Sequence, residues 1–160
     1  MKVSTKGRYG LRALADLASH AGEGAVSLVS VSERQGISLN YLEQVFALLR
    51  RAGIVRSVKG FRGGYMLGRD PKELTIGEIL TVLEGRFCIT DEAGRKAERD
   101  AVWQSIQELV WAPINDAVNA YLDTTTLAQL MEEEPETAGC KMIPSYGSEQ
   151  MADKTKGGQP

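Results

Sequence analysis

The side chains in this 160-residue sequence best suited to thiol, imidazole or soft-metal chemistry are Cys88, Cys140 and His20. The two thiols lie roughly fifty residues apart, which is neither a disulfide framework nor a zinc-ligand spacing. Two thiols and a distant imidazole do not close a structural zinc shell, so no metal site is expected. A hydrolase triad would have to take His20 as its base, since the chain has no other histidine. Gly60-Phe61-Arg62-Gly63-Gly64 lacks both the Gly-Lys-Ser/Thr ending of a P-loop and the G-x-G-x-x-G spacing of a dinucleotide loop. An enzyme is therefore not expected.

A different chemistry is better supplied. Ser38, Asn40, Tyr41, Glu43 and Gln44 fall within one short stretch. Asn or Gln can pair with adenine and Glu can accept from cytosine, so this set suits the edges of base pairs. Arg50 follows at the far end of the same segment with Arg51, where it suits a phosphate or the helix dipole. Lys59 and Arg62 flank a glycine-bearing turn whose Gly63 and Gly64 allow close backbone approach. Thr5, Lys6 and Arg8 stand at the start of a first helix, where backbone amides and added positive charge favour a phosphate. Taken singly, Tyr41 reads as a packing residue, Arg50-Arg51 as a solvated helix end, and the glycines as any turn. Their order along the chain is the signal.

The elements that must position these residues can be read from periodicity. Ser4 or Thr5 caps a first helix carrying Leu11, Leu14, Ala15, Leu17 and Ala18 at three- and four-residue steps, ending near His20. After an apolar patch at 26–28, a short helix over 29–34 ends at Gly36. Ser38 caps the next helix, whose Leu42, Val45, Phe46 and Leu49 share a face, with a stop at Gly53. Residues 28–52 thus read as helix, turn, helix. The alternation of 54–59 and the run 65–67 predict a hairpin. Thr75 caps a further helix over 76–83.

From about 98 to 122 an apolar stripe runs through Trp103, Ile106, Val110, Ile114, Ala117 and Tyr121. Such a helix would be ~38 Å long, too long for the preceding domain to cover, and a second copy is the simplest partner. Pro113 should kink or split it. The expected organisation is a DNA-binding winged helix-turn-helix over 1–85, a linker or sensor loop over 86–97, a dimerisation helix and short last helix over 98–134, and a disordered tail over 135–160. The fold class expected is mainly α with a small β-hairpin wing.

Charge agrees with this organisation. Residues 1–70 carry eleven Lys/Arg against five Asp/Glu, a balance of +6, and the remainder carries −8. A basic half joined to an acidic half suggests a polyanion-binding module on a carrier, although uneven surface charge without a partner would look the same. No stretch has the apolar length of a bilayer span, and the N-terminus lacks the pattern of a signal peptide, so a cytoplasmic protein with no membrane contact is expected.

The segments STKGRYGLRAL (4–14), SERQGISLNYLEQ (32–44), LLRRAGIVRSVKG (48–60), RGGYMLGRD (62–70), LTIGEILTVLEG (74–85) and LDTTTLAQL (122–130) resemble the bacterial Rrf-two family of winged-helix regulators. The resemblance implies a homodimeric transcription regulator, a repressor by default, on a near-palindromic operator of double-stranded DNA. It implies that Ser38, Asn40, Glu43 and the basic wing read or grip DNA. Asn40 stands where relatives commonly have serine, so operator preference should differ.

Many members of that family hold an iron–sulfur cluster through three cysteines after the wing, with a histidine or an N-terminal carboxylate as fourth ligand. Here residues 86–100 contain only Cys88, and position 8 is Arg. No cofactor is therefore expected, although a cluster or redox site built on one Cys88 from each subunit is an alternative. Cys88 itself reads either as a small half-buried apolar residue, the preferred reading, or as a redox-sensing thiol. The missing ligands make the chain look closest to the cysteine-metabolism branch, where cysteine synthase can be the signalling partner. A dimeric adaptor without DNA binding is the remaining alternative.

Overall fold

The computed structural model describes residues 4–89 and 101–132. Helix α1 (Thr5–Ser19) is capped by Ser4, whose hydroxyl accepts from Gly7 N–H at 3.1 Å. After a single 3-10 turn (Ala21–Glu23) comes α2 (Leu28–Gln35), capped by Ser27 and closed by Gly36 in the left-handed region at φ 64°. That conformation lets Gly36 N–H return to Ser32 C=O at 2.9 Å and turns the chain into α3 (Leu39–Arg51). Helix α2 starts one residue ahead of the expected position, because Ser27 takes the cap and draws Leu28 into the first turn.

Strands β1 (Val55–Val58) and β2 (Gly64–Leu67) pair antiparallel in the expected hairpin. The apolar patch at 26–28 has a role periodicity did not reveal. Val26 exchanges both backbone hydrogen bonds with Tyr65, at 2.9 and 2.8 Å, and so adds a one-residue third strand. A Cβ on Gly64 would collide with Val26 C=O, so glycine is required at that crossing.

Helix α4 (Ile76–Glu84) completes the first domain, and α1 lies close against it. A Cβ on Gly10 would stand 2.5 Å from Leu83 Cδ1 and 3.2 Å from Val45 Cγ1. The core gathers Ala13, Leu14 and Leu17 of α1, Val31 of α2, Leu42, Val45, Phe46 and Leu49 of α3, Ile54, and Leu74, Ile79 and Leu83 around α4. The α3 face is the one read from the sequence; on α1 Leu14, Leu17 and Ala18 are buried as read, whereas Leu11 and Ala15 are half-buried and Ala13 takes a core place that was not read.

The long helix is continuous through the described residues but not uniform. Helix α5 (Ala101–Ile106) passes through a π-helical turn (Gln107–Trp111) into α6 (Ala112–Thr124). Ala112 N–H donates to Gln107 C=O, five residues back. Pro113 has no N–H for the carbonyl four residues before it, and its ring crowds that carbonyl; the widened turn relieves both. The expected kink at Pro113 is thus met by a local insertion, and residues 98–100 of the expected helix lie outside the described residues.

Helix α7 (Leu127–Glu132) returns to the first domain. Leu127 N–H donates to Leu74 C=O and Ile76 N–H to Thr125 C=O, each at 2.8 Å, and Leu127 is fully buried in the main core. Leu122 and Leu127 therefore serve the same core as α1 to α4, although the expected organisation grouped Leu127 with the dimerisation helix. The expected tail over 135–160 and most of the loop over 86–97 lie outside the described residues.

Candidate nucleic-acid interface

Helix α3 divides cleanly by face. Leu42, Val45, Phe46 and Leu49 are buried, while Asn40, Glu43 and Gln44 point to solvent at three- and four-residue spacing. Ser38 Oγ accepts from Tyr41 N–H at 3.4 Å, so its hydroxyl sets the start of the helix as well as standing near its exposed end. Tyr41 is half-buried and meets Tyr9 of α1 edge-on, 6.0 Å between ring centroids. It braces α3 against α1 instead of projecting freely. Arg50 and Arg51 are exposed in the last turn, where cations oppose the negative end of the helix dipole.

The wing is held to α3 by an edge-on contact of Phe46 with Tyr65, 5.1 Å between centroids. Its tip is a four-residue turn in which Gly63 N–H donates to Gly60 C=O at 2.9 Å. Gly60 takes φ 118°, a region closed to other residues without strain. Lys59 and Arg62 are exposed there. Gly63 is packed against the carbonyls of Val58 and Gly60, at 2.6 and 2.8 Å from a would-be Cβ, so Gly63 and Gly64 act through backbone packing.

Thr5, Lys6 and Arg8 are exposed at the start of α1. The amides expected there for a phosphate are partly met from within. Ser4 Oγ takes Gly7 N–H, and Glu84 Oε2 accepts from Ser4 N–H at 3.0 Å. The Glu84 carboxylate also occupies the space a side chain at Gly7 would need.

Sequence reasoning missed a charged group that fixes the helix-turn-helix. Asp16 is 7% exposed on the apolar face of α1. It accepts from Arg34 Nε at 3.0 Å, Arg34 Nη2 at 2.6 Å and Gln35 Nε2 at 2.9 Å. Burial pushes its carboxyl up, but the hydrogen bonds from Arg34 and Gln35 and the nearby positive charge outweigh that and hold it below its ordinary value. His20 Nδ1 lies 2.8 Å from Asp16 C=O, closing the end of α1. The available signal was an aspartate set among Ala13, Leu14, Leu17 and Ala18.

Cys88 is exposed, which corrects the preferred reading of a half-buried apolar residue. Its loop is strapped to α6: Ile89 N–H donates to Asn115 Oδ1 at 2.7 Å, and Asn119 Nδ2 to Phe87 C=O at 2.9 Å. These bonds, with Asn115 Nδ2 donating to Ile89 C=O at 3.2 Å, tie the backbone on either side of Cys88 to α6. Asn115 Nδ2 approaches Cys88 Sγ at 3.8 Å.

The same helix presents its other side to solvent. Ile106, Val110, Ile114, Ala117 and Tyr121 are exposed, with Val102 and Leu109 beside them. Trp103 parts from this stripe. It is half-buried, and its indole nitrogen, like Gln107 Nε2 and the indole nitrogen of Trp111, is shielded from solvent without a hydrogen-bond partner among the described residues.

Comparison with known proteins places this geometry. The family model described as "Rrf2: Iron-dependent Transcriptional regulator" matches residues 3–133. The HTH-type transcriptional regulator IscR of Serratia proteamaculans is 37% identical over 134 residues, covering 84% of this chain and 81% of that one. The structure of CymR, the global cysteine regulator of B. subtilis, aligns with TM-score 0.64 at 41% identity over 82% of this chain and 96% of that one. T. potens IscR aligns with TM-score 0.69 at 42% identity over 88% and 93%.

The family description implies iron, and the residues around Cys88 can be tested for it. The group approaching its sulfur is a carboxamide N–H, a donor of hydrogen bonds with no lone pair for a metal. Among the described residues no three His, Cys, Asp or Glu side chains gather into a ligand set. The described residues around Cys88 do not fit an iron–sulfur cluster.

Proposed function

The chain belongs to the Rrf2 family of DNA-binding transcription regulators, and from that premise we propose that it works as a homodimeric repressor on a near-palindromic operator. The observation that carries this reading is the solvent-facing set Asn40, Glu43 and Gln44 on a helix held rigidly beside a cationic wing. In the proposed complex α3 enters the major groove by its N-terminal end, and Asn40, Glu43 and Gln44 meet base edges. Arg50, Lys59, Arg62 and the Thr5-Lys6-Arg8 segment grip the backbone.

Dimerisation is supported by the exposed apolar residues Ile106, Leu109, Val110, Ile114 and Tyr121 along one helix, since contiguous exposed apolar surface marks interaction sites. Repression would follow from occupying a promoter. The work is regulatory, as in the relatives, and would take place in the cytoplasm; among the described residues no helix is long and apolar enough to cross a membrane.

We further propose that the chain acts without an iron–sulfur cluster and takes its signal in sulfur or cysteine metabolism. Two cysteines and one histidine in the whole sequence, and the likeness to a global cysteine regulator, support this. Cysteine synthase is the candidate signalling partner, to be sought by pull-down. A redox role for the exposed Cys88 is the second reading.

The deciding experiment is binding of the full chain to duplexes enriched from a random-sequence pool, followed by fluorescence anisotropy across salt. Log affinity should fall linearly with log salt, by about 0.9 per phosphate neutralised. Binding that ignored salt, or no enrichment, would favour a DNA-free adaptor. Iron and sulfide assays on protein purified without oxygen should read near zero; stoichiometric iron would overturn the cluster-free reading.

A further inference from the structure

Phe61 is 106% exposed, the most exposed large apolar side chain among the described residues. It occupies one of the two central positions of the wing turn, with Arg62 at the other, and the turn is closed by the Gly60–Gly63 hydrogen bond. Neither central residue has positive φ, so the turn sets both side chains outward without strain. Lys59 and Arg62, both exposed, flank Phe61 along the chain at the wing tip. A bare phenyl in water at the end of a rigid hairpin serves nothing in the folded chain. Between two cations it matches a surface that is anionic at its rims and apolar within.

We propose that Phe61 is the apolar contact of the wing with the DNA minor groove, where it selects against guanine at the positions it covers. The inference rests on the DNA-binding reading above. The minor groove is about 6 Å wide and 7.5 Å deep, with phosphates on both rims. Lys59 and Arg62 meet the rims, and the phenyl lies between them against sugar and base edges. Adenine–thymine pairs leave that floor smooth, whereas guanine raises its N2 amino group into the space the ring takes. Minor-groove proteins distinguish A·T from G·C there and bring apolar side chains, Phe among them, into that groove.

The test uses the full chain, its Phe61→Ala, Phe61→Leu and Arg62→Ala variants, and a duplex enriched from a random pool by the wild-type protein. Since Phe61 packs on nothing, the variants should melt as wild type does. Phe61→Ala should bind about tenfold more weakly at fixed salt, equal to ~1.4 kcal/mol, with an unchanged salt slope. Phe61→Leu should recover most of the loss. Arg62→Ala should instead lower the slope by about one. In a second series, single A·T pairs flanking each half-site are replaced by inosine–cytosine or by G·C. Inosine lacks the N2 amino group, so wild type should tolerate inosine and reject G·C at the wing positions, and Phe61→Ala should accept both. Wild-type affinity in Phe61→Ala, or intact G·C rejection, overturns the proposal while leaving the DNA reading standing. A wild-type chain that enriches no duplex overturns both.

Discussion

Arg34 Nη2 of α2 lies 2.6 Å from Asp16 Oδ2 of α1, an ion pair with its carboxylate end buried and its guanidinium end partly open to solvent. It joins the first helix to the helix-turn-helix. Asp16→Ala should cost about 2 kcal/mol in urea unfolding. The value sits below the usual range for breaking a buried pair because Arg34 regains some hydration. A loss under about 0.5 kcal/mol would mean the two helices hold their angle by apolar packing alone.

The same carboxylate makes a pH prediction. Asp16 binds its proton less readily in the folded chain than the ordinary value of 3.8. The unfolded chain therefore holds more protons than the folded one in this window, and stability rises with pH there. The contribution of Asp16 is fully present above about pH 5 and is lost as pH falls through 3.8 to the lower folded value. Unfolding midpoints of wild type and Asp16→Asn should thus converge as pH drops from 5 to 2.5. A gap that stays constant would assign the acid sensitivity to other carboxylates.

Ser38 and Asn40 should separate stability from binding. Ser38 caps α3, so Ser38→Ala should lower stability by about 1 kcal/mol whatever it does to DNA. Asn40 is exposed, and Asn40→Ala should leave stability within about 0.5 kcal/mol while costing roughly 1–3 kcal/mol of specific binding. Equal affinity for the enriched duplex in Asn40→Ala would remove it from the reading set.

Two helix glycines should respond unequally to alanine. At Gly7 the obstacle is the far end of the Glu84 side chain, which can swing away. At Gly77 it includes Asp123 N and Leu122 C, both 3.1 Å from the new Cβ, which belong to the backbone of α6. Gly7→Ala should be near neutral, because better helix propensity offsets the adjustment. Gly77→Ala should destabilise by about 1–3 kcal/mol. Thermal melts of the two variants, run side by side, decide it.

Cys88 should react with a thiol reagent in native buffer at a rate close to that of a small free thiol, measured in a Cys140→Ser background. Protection that appears only on mixing with DNA or at high protein concentration would place the thiol at an interface.

Much of this was legible beforehand because it is periodic or chemical in one dimension. Ser38 before Leu42, Val45, Phe46 and Leu49 announces both a helix start and its buried face. What stayed hidden depends on partners distant in sequence. Val26 becomes a strand only because Tyr65 lies beside it, and Leu127 joins the core only because α6 brings it back to Leu74. Asp16 looked like one more charge until Arg34 and Gln35 met it. Cys88 looked apolar by its neighbours Phe87 and Ile89, but Asn115 and Asn119 hold that loop by its backbone and Cys88 is exposed. In the set proposed to read bases, residue types suggested the chemistry; only the fold showed Tyr41 braced on Tyr9 while Asn40, Glu43 and Gln44 are exposed.

The return of α7 has a consequence for how this molecule is made. Leu127 fills a site between residues that leave the ribosome long before it, and the strand-like bonds at Leu74 and Ile76 wait for Thr125 and Leu127. The core of the first domain therefore lacks one of its buried side chains until residue 127 has been made. That core is sealed only after the long arm has emerged and turned back, so a nascent chain cut short in that arm leaves the place of Leu127 open to water.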